Sequence, residues 1–152
     1  MTDPPDEVRL RAANPGDLVP VQSLLEAARL PLGGLADQFG DGYVVAVKGE
    51  RVVGVAGVER HGDYGLLRSV AVDPAERARG LGRELVRNRI EWARREALTA
   101  LFLLTETATT FFERLGFART DRNAAPTPIR ASAEWREVCP QSATPMRFGP
   151  LA

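Results

Sequence analysis

Apolar and polar positions along the chain follow two periods, which predict a series of strands and helices. Strict alternation in VRLRA (8–12) is typical of a half-buried strand. Three β-branched runs within 43–72, separated by KGER and RHGDYG, predict an antiparallel meander. Residues 80–98 change to the helical period, with one apolar stripe opposite charged positions. The unbroken apolar run at 100–105 is typical of a central strand.

Cap and turn residues predict the remaining boundaries. Asp17 stands at an N-cap position, and the apolar residues after it recur at helical spacing for about three turns. The glycine-rich segment 30–42 predicts a packed loop or a broken second helix over a cleft. ATTFFERLGF (108–117) predicts a short helix closed by Gly116 in the left-handed conformation.

The C-terminal part of the chain has a weaker pattern. APTPIRASAEWREVCP (125–140) is compatible with a helix bracketed by Pro128 and Pro140, and ATPMRF (143–148) with a final strand. The sequence contains no repeat, low-complexity tract or internal linker, so we expect a single domain over residues 1–152. The order of the elements predicts a mixed sheet flanked by helices.

Composition and charge exclude several classes of protein. Twenty Lys and Arg residues balance twenty Asp and Glu residues, so no global field favours nucleic acid or an anionic membrane. No stretch approaches the ~18 apolar residues of a membrane span, and the first residues lack the apolar core of a signal peptide. The single cysteine, Cys139, cannot form an internal disulfide, and with one histidine it cannot assemble a zinc site. We therefore expect a soluble, cytoplasmic protein without a bound metal.

The stretch VDPAERARGLGRELV carries the candidate chemistry. Gly80 and Gly82 remove Cβ atoms where a loop turns into a helix, so several backbone N–H groups can converge on one anion. The helix dipole adds about half a positive charge there. Arg77, Arg79 and Arg83 add to the same field. Together these features predict a cradle for a pyrophosphate.

The spacing within this stretch excludes two common phosphate-binding motifs. A P-loop needs Gly-Lys-Ser/Thr, whereas Gly82 is followed by Arg83 and Glu84. A dinucleotide fold needs G-x-G-x-x-G, whereas the chain has G-L-G-R-E-L and no evident acidic residue about 20 positions later. Neither nucleotide-binding fold is therefore expected.

The stretch VAVDPAERARGLG resembles the signature of the GCN5-related N-acetyltransferase superfamily, R/Q-x-x-G-x-G/A after a strand ending V-x-V-x-P. The residues in register are Val70, Val72, Pro74, Arg77, Gly80 and Gly82. ATTFFERLGF is similar to the superfamily's A-x-x-F-Y-x-x-x-G-F segment and lies at the expected distance. The resemblance covers nearly the whole chain in order. It implies an α/β fold with a central, mixed but mostly antiparallel sheet of about six to seven strands, flanked by about four helices.

By this resemblance the ligand is acetyl-coenzyme A (acetyl-CoA), and the activity is acetyl transfer to an amine. The pyrophosphate would lie on the N–H groups of 78–83, and the pantetheine would pair with the backbone of 70–72 in a gap between the fourth and fifth strands. The implied cofactor-binding residues are Val70, Ala71, Val72, Arg77, Ala78, Arg79, Gly80, Leu81, Gly82, Arg83, Thr105, Ala108, Phe111 and Phe112. The oxyanion donor would be the backbone N–H of Ala71 or Val72. The plain alternative is a glycine-rich helix start with solvated arginines.

Acetyl transfer needs a base for the amine and a proton for the departing thiolate. Glu59 is the candidate base, because it ends the otherwise apolar third strand, beside the strand expected to hold the thioester. The alternative is that Glu59 reaches solvent at a strand end or pairs with Arg68. His61, two residues further on, is expected to be an exposed turn residue.

No general acid stands at the position that is usual in the superfamily. Phe112 replaces the tyrosine of many relatives and cannot donate a proton, and Thr105 replaces an asparagine. Either water or another group therefore protonates the thiolate. Cys139 is a candidate only because it lies in the C-terminal region expected near the substrate, and a lone cysteine is more often a small buried hydrophobe.

The tail is similar to a branch of the superfamily that is often labelled as arsenic-resistance-associated N-acetyltransferases. The matching residues are Ala125, Pro126, Ile129, Arg130, Ser132, Glu134, Trp135, Cys139, Pro140, Ser142 and Ala143. By that resemblance the acceptor is a small amine, and arsenic compounds or amino-acid-like substrates are suggested. The candidate substrate-binding residues are Arg68, Arg130 and Ser132. The two arginines suit a carboxylate on the acceptor, because guanidinium groups bind carboxylates bidentately. Either arginine can instead be a structural ion-pair partner.

A rival interpretation comes from another class of function. Phe112 and Thr105 also fit an acyl-CoA-binding sensor or interaction module that has lost catalysis. Acetylation of proteins is less favoured, because no acidic groove or recruitment segment is evident. Many relatives pair through their sheets or C-terminal elements, so a homodimer is a further expectation without residue-level support.

Overall fold

A computed structural model describes residues 7–138 and 142–151 of the chain. Within them, seven strands form one sheet in the order β1-β2-β3-β4-β5-β7-β6. The strands are β1 Val8–Ala12, β2 Tyr43–Lys48, β3 Arg51–His61, β4 Tyr64–Val72, β5 Ala100–Thr105, β6 Ala118–Arg119 and β7 Thr144–Phe148. The helices are α1 Leu18–Ala27, α2 Leu35–Gln38, α3 Leu81–Arg95, α4 Thr109–Arg114 and α5 Thr127–Arg130, followed by a π-helix at Glu134–Val138.

The pairing of the strands confirms the predicted mixed, mostly antiparallel sheet. β1 pairs with β2, β2 with β3, and β7 with both β5 and β6, all antiparallel. The pair β4–β5 is parallel and joins Tyr64, Gly65 and Leu66 to Ala100, Leu101 and Phe102. Both strands continue beyond this short ladder, β4 through Arg68 and β5 to Thr105.

The chain divides into two compact units. The first contains the described residues up to Gly57 together with Ser69–Arg89, and the second contains Val58–Arg68 and the described residues from Ile90 on. In the first unit, Tyr43, Val45 and Val47 pack against α1 and α2, whereas Val44 and Ala46 pack against Leu81 and Leu85 of α3. Because β2 is covered on both faces, its sequence is almost continuously apolar.

The second unit has a core of its own around the parallel ladder. Leu66, Ala100 and Phe102 pack against Ala125, Ile129 and Trp135 from the C-terminal segment. The rings of Phe102 and Trp135 meet edge to face, with centroids 6.2 Å apart. The aromatic residue of the tail pattern therefore belongs to a core.

Several predicted boundaries change in the structure. The helix predicted at 80–98 is α3, and the strand predicted at 143–148 begins at Thr144. The helix proposed over 125–140 is wrong, because it is divided into α5 and the π-helix. Ser132 interrupts it: its hydroxyl donates to the Ile129 carbonyl at 2.7 Å and accepts from the Trp135 N–H at 3.3 Å. The strand β6 was not predicted.

Other local predictions have mixed outcomes. The broken second helix is α2, with Leu35 in the core of the first unit, and Gly116 takes a φ of 103° at the end of α4. Asp17 precedes α1 as predicted, but its carboxylate does not cap that helix. It accepts hydrogen bonds from the Asn14 N–H and from Arg11 instead. None of the helices in the described ranges is long and apolar enough to cross a membrane.

Candidate functional site

The glycine-rich loop lies in the first unit, between the end of β4 at Val72 and the start of α3 at Leu81. Asp73 fixes its beginning, because its N–H donates to the Val53 carbonyl at 2.8 Å and its carboxylate accepts from the Ala75 N–H at 2.9 Å. Ala78 and Gly80 then take φ angles of 70° and 78°. Successive left-handed turns of this kind leave neighbouring N–H groups pointing into one concavity.

The backbone N–H groups of residues 80–83 have no acceptor within the described part of the chain. Those of the first helical residues lack one because a helix leaves its first N–H groups without an internal partner. A Cβ placed on Gly80 would meet nothing within 4 Å, so the loop is open to a ligand at that point. These donors lie at the positive end of a fifteen-residue helix, where the sequence predicts an anion site.

Charged side chains around the loop set its field. Arg77, Arg79 and Arg83 are exposed, as predicted. Glu76 was missed by the sequence analysis: it is 2% exposed and accepts from Lys48 Nζ of β2 at 3.2 Å. Arg79 approaches the same carboxylate at 3.8 Å. The ion pair with Lys48 links the loop to β2. Because Lys48 neutralises the charge of Glu76, the exposed arginines still give the loop a positive charge.

The end of β4 holds the segment predicted to face the pantetheine. Val70 and Val72 pack toward α3, and Ala71 lies in the core beside α1 and α2. Ser69, just before them, has a φ of 60°, an unusual conformation for a residue other than glycine. Its hydroxyl lies 3.4 Å from the hydroxyl of Tyr43, and both residues are buried. No pattern in the run of apolar residues indicated this irregularity.

A hydrogen-bonded cluster of charged side chains lies in the second unit. Glu59 is 4% exposed, and its Oε2 accepts from Arg68 Nη1 at 2.7 Å. Its Oε1 lies 3.0 Å from Nε2 of His61. The Arg68 side chain is 1% exposed and that of His61 is 20% exposed. We call Glu59, His61 and Arg68 the β3–β4 cluster.

This cluster corrects the expectation for His61. Strand β3 does not end at Glu59 but continues to His61, and Gly62 with a φ of 64° makes the turn. Since residues two apart on a strand share a face, Glu59 and His61 lie side by side. His61 is therefore a half-buried strand residue rather than an exposed turn residue.

Opposing effects act on the Glu59 carboxyl. Burial raises its pKa, whereas hydrogen bonds from His61 and Arg68, together with their positive charge, lower it, and the net result is a pKa below the usual value. Glu59 is therefore a carboxylate at neutral pH. The predicted alternative, an ion pair with Arg68, is observed, and the role of Glu59 as the base stays a prediction.

Other predicted site residues in the second unit have structural partners. The Thr105 hydroxyl accepts from the Ala108 N–H at 3.0 Å just before α4. Phe112 is buried against the rings of Phe111 and Phe117, at 5.0 and 5.6 Å. Phe112 therefore belongs to an aromatic cluster at α4.

Two predicted substrate contacts lie in the C-terminal segment. Arg130 is exposed and donates to the Thr127 hydroxyl at 3.2 Å, whereas Ser132 is buried with its hydroxyl bonded within the segment. Cys139 lies outside the described residues. In the described part of the chain, no three His, Cys, Asp or Glu residues come together as metal ligands would.

Residues 14–117 of the chain match the model of the acetyltransferase (GNAT) family. Among solved structures, N-acetylglutamate synthase from Neisseria gonorrhoeae, complexed with coenzyme A and N-acetyl-glutamate, is 20% identical, with 93% of this chain and 35% of that chain covered and a TM-score of 0.79. Rv2747 from Mycobacterium tuberculosis, in complex with CoA, is 24% identical, with 92% and 98% covered and a TM-score of 0.78. The ribosomal-protein-S18-alanine N-acetyltransferase from Escherichia coli is 19% identical, with 95% and 94% covered and a TM-score of 0.70.

These similarities differ in what they show. The chain spans about a third of the length of the synthase, and the identities to all three structures are low enough that they show the fold alone. No curated protein matches the chain. The family model, in contrast, matches more than half of the chain and includes the loop, β4 and α4. The chain belongs to the acetyltransferase (GNAT) family.

Proposed function

We propose that this protein is an acetyl-CoA-dependent N-acetyltransferase that acts on the amine of a small, anionic, amino-acid-like substrate. The observation that carries the proposal is the run of N–H groups at 80–83 without acceptors among the described residues, in a chain that belongs to an acetyltransferase family. A diphosphate is the part of acetyl-CoA that such donors recognise. Arg77, Arg79 and Arg83 add charge of the complementary sign.

The rest of the proposed cofactor site follows from the family resemblance. The backbone of Val70, Ala71 and Val72 would pair with the pantetheine, and the N–H of Ala71 or Val72 would stabilise the oxyanion. Thr105, Ala108, Phe111 and Phe112 remain the proposed contacts at the start of α4.

We propose that removal of the amine proton depends on Glu59. A buried carboxylate next to a second titratable side chain is typical of sites that move protons. Because Phe112 carries no hydroxyl, the thiolate takes its proton from water or from the amine itself.

The substrate class rests on the arginines of the second unit. Arg68 already holds Glu59, whereas Arg130 is exposed at the end of α5, so we propose Arg130 as the contact for an acceptor carboxylate. Ser132 would act on the shape of this segment. The two similar synthase structures contain N-acetyl-glutamate and L-arginine, which are small amino-acid ligands of those proteins.

Three further proposals come from the sequence pattern. The tail resembles the arsenic-resistance-associated branch, and we propose a cytoplasmic protein that forms a homodimer. Growth of an arsenite-challenged host with and without the protein tests a role in arsenic resistance, and light scattering tests the homodimer.

The rival function, CoA binding without catalysis, is favoured by the buried Phe112. A thiol-release assay over the twenty standard amino acids distinguishes the two functions, since the rival binds acetyl-CoA without releasing thiol.

Replacing Glu59 with glutamine tests the proposed chemistry. Glu59→Gln keeps the shape of the side chain and removes its charge, so we expect kcat to fall by about 100-fold near neutral pH while KM for acetyl-CoA changes by less than about threefold. Steady-state thiol release measures both constants. Glu96→Gln, which removes an exposed carboxylate paired with Arg60, is the matched control and should leave kcat unchanged. A wild-type kcat in Glu59→Gln would remove Glu59 from the mechanism.

A further inference from the structure

The β3–β4 cluster holds the imidazole of His61 in one orientation. Nε2 of His61 lies 3.0 Å from Oε1 of Glu59, and the second oxygen of Glu59 is bonded to Arg68 at 2.7 Å. Arg68 and Glu59 are both buried, so this side of the cluster is fixed by two charged hydrogen bonds. His61 is the most exposed member of the cluster: 20% of its side chain is exposed, against 5% for Glu59 and 1% for Arg68.

The geometry also fixes which ring nitrogen carries the proton. Glu59 is ionised, because its partners keep its pKa below the usual value, and a carboxylate can only accept a hydrogen bond. Nε2 of a neutral His61 must therefore carry the hydrogen that is donated to Oε1. Nδ1 then has a free lone pair, and within the described residues it has no hydrogen-bond partner.

The two candidate bases differ in their suitability. A general base works best when it binds its proton near the working pH. The Glu59 carboxylate, with both oxygens hydrogen-bonded and a lowered pKa, holds a proton poorly. An imidazole that is oriented by a carboxylate through one nitrogen, with the other nitrogen unbonded, is the arrangement used for proton transfer in hydrolytic triads.

We infer that Nδ1 of His61 accepts the proton of the acceptor amine, and that Glu59 and Arg68 are positioning residues that act through His61. The inference rests on the proposed function and names the proton-accepting atom within it. It reassigns His61 from an expected turn residue to a catalytic residue.

The proposed step balances without a further reactant. The acceptor ammonium gives one proton to Nδ1, and its nitrogen lone pair forms an N–C bond with the thioester carbonyl. The C–S bond breaks with its electron pair on sulfur, and the second amine proton neutralises the thiolate. The products are the amide, the thiol of CoA and an imidazolium, which returns its proton to water. No tyrosine hydroxyl is needed, in agreement with Phe112.

His61 is the one histidine of the chain, so its ring nitrogens can be observed without ambiguity. Nitrogen-15 NMR of the wild-type protein at a pH where the ring is neutral should show hydrogen on Nε2 and a bare Nδ1. In Glu59→Gln the amide can present either oxygen or nitrogen to the ring, so a mixture of both forms is expected. Hydrogen on Nδ1 in the wild type would overturn the inference whatever the activity.

Two variants test the chemistry. His61→Gln keeps an N–H donor for Glu59 but has no basic nitrogen, and we expect its kcat to be about 100-fold below wild type on the standard amino acid that the wild type acetylates fastest. His61→Ala should lose a similar factor and regain at least about tenfold when imidazole is added to the buffer. Imidazole should not stimulate the wild type. Arg60→Ala, which alters the exposed neighbour on β3, is the control with unchanged kcat.

The possible outcomes separate the two proposals. Loss of kcat in both variants with imidazole rescue of His61→Ala supports the inference, and circular dichroism should show wild-type folding in both. Active wild type with undiminished His61→Gln overturns the inference but leaves the proposed function standing. Loss of kcat in both variants without rescue assigns His61 a structural role and also overturns the inference. A wild type that acetylates none of the twenty amino acids contradicts the proposed function and the inference with it.

Discussion

Burial of Glu59 disfavours its ionised form, but hydrogen bonds from His61 and Arg68 stabilise that form, so the buried carboxyl stays ionised. The sequence predicted a functional Glu59, because the residue follows an apolar strand, and it also predicted the alternative, pairing with Arg68. The role of His61 could not be predicted, since RHGDYG is equally compatible with a longer turn that begins earlier. The structure makes the turn at Gly62, which leaves His61 on the strand and within reach of the carboxylate.

Asp17 illustrates a second residue whose position was predicted but whose bonds were not. An N-cap pattern identifies a side chain that can accept a hydrogen bond near a helix start, but it does not identify the donor. Here the donors are Arg11 on β1, at 2.7 and 2.9 Å, and the Asn14 N–H at 2.8 Å. The carboxylate thus joins a strand to the turn before α1.

Removing the charge of Asp17 should make stability less dependent on pH. The hydrogen bond from Arg11 outweighs burial and lowers the pKa of Asp17 in the folded protein. The ionised carboxylate therefore stabilises the fold fully above the pKa that Asp17 has in the unfolded chain, and this stabilisation is lost as the pH falls through the lower pKa of the folded protein. We expect Asp17→Asn to lower the free energy of unfolding by about 1.5 kcal/mol at pH 7 and by much less at low pH, where Asp17 is protonated. Urea denaturation at both pH values measures the difference.

The control for Asp17→Asn is Asp41→Asn, at an exposed loop position, which should change the free energy by less than about 0.5 kcal/mol. An equal loss for Asp17→Asn at neutral and at low pH would contradict the role of the ionised carboxylate.

At the scale of elements, prediction succeeded where one period is sustained. The long amphipathic pattern of α3 and the β-branched runs of β2–β4 gave elements of the correct type, with ends within a few residues. The segment after Pro126 failed, because a single side chain, Ser132, ends α5 by bonding to backbone on both sides. The left-handed Ser69 within β4 left no sign in the sequence.

The loop before α3 is the element on which the proposed function depends, and a matched pair of glycines tests it. Gly80 and Gly49 have positive φ angles of 78° and 64°, and a Cβ would meet nothing within 4 Å at either. Gly80→Ala and Gly49→Ala should therefore each lower the free energy of unfolding by about 1 kcal/mol through backbone strain alone. Only Gly80→Ala should weaken CoA binding, by about tenfold, because the strain moves the N–H donors.

Isothermal titration with CoA measures this difference between the two variants. Gly49 lies in the turn between β2 and β3, so its replacement controls for the general effect of lost stability. Equal CoA affinities in the two variants would show that the conformation of Gly80 does not serve the ligand.

At the scale of the whole molecule, the sequence predicted a mixed sheet but not the order of its strands. Strand order depends on contacts between distant residues: β4 pairs in parallel with β5 across α3, and β7 lies between β5 and β6. Hydrophobic periods carry no information about such pairings, and a strand of two residues such as β6 gives no period at all. The family resemblance supplied the number of strands and the mostly antiparallel pairing, and the match of residues 14–117 confirms the family.

The proposed function requires that N–H groups at the start of α3 bind the diphosphate of CoA, and a crystal structure of the protein with CoA would show whether they do. We expect phosphate oxygens at about 3 Å from backbone nitrogens within 78–83, with the arginine side chains of the loop around them. A diphosphate bound elsewhere on the protein, or the absence of any CoA at saturating concentration, would contradict it.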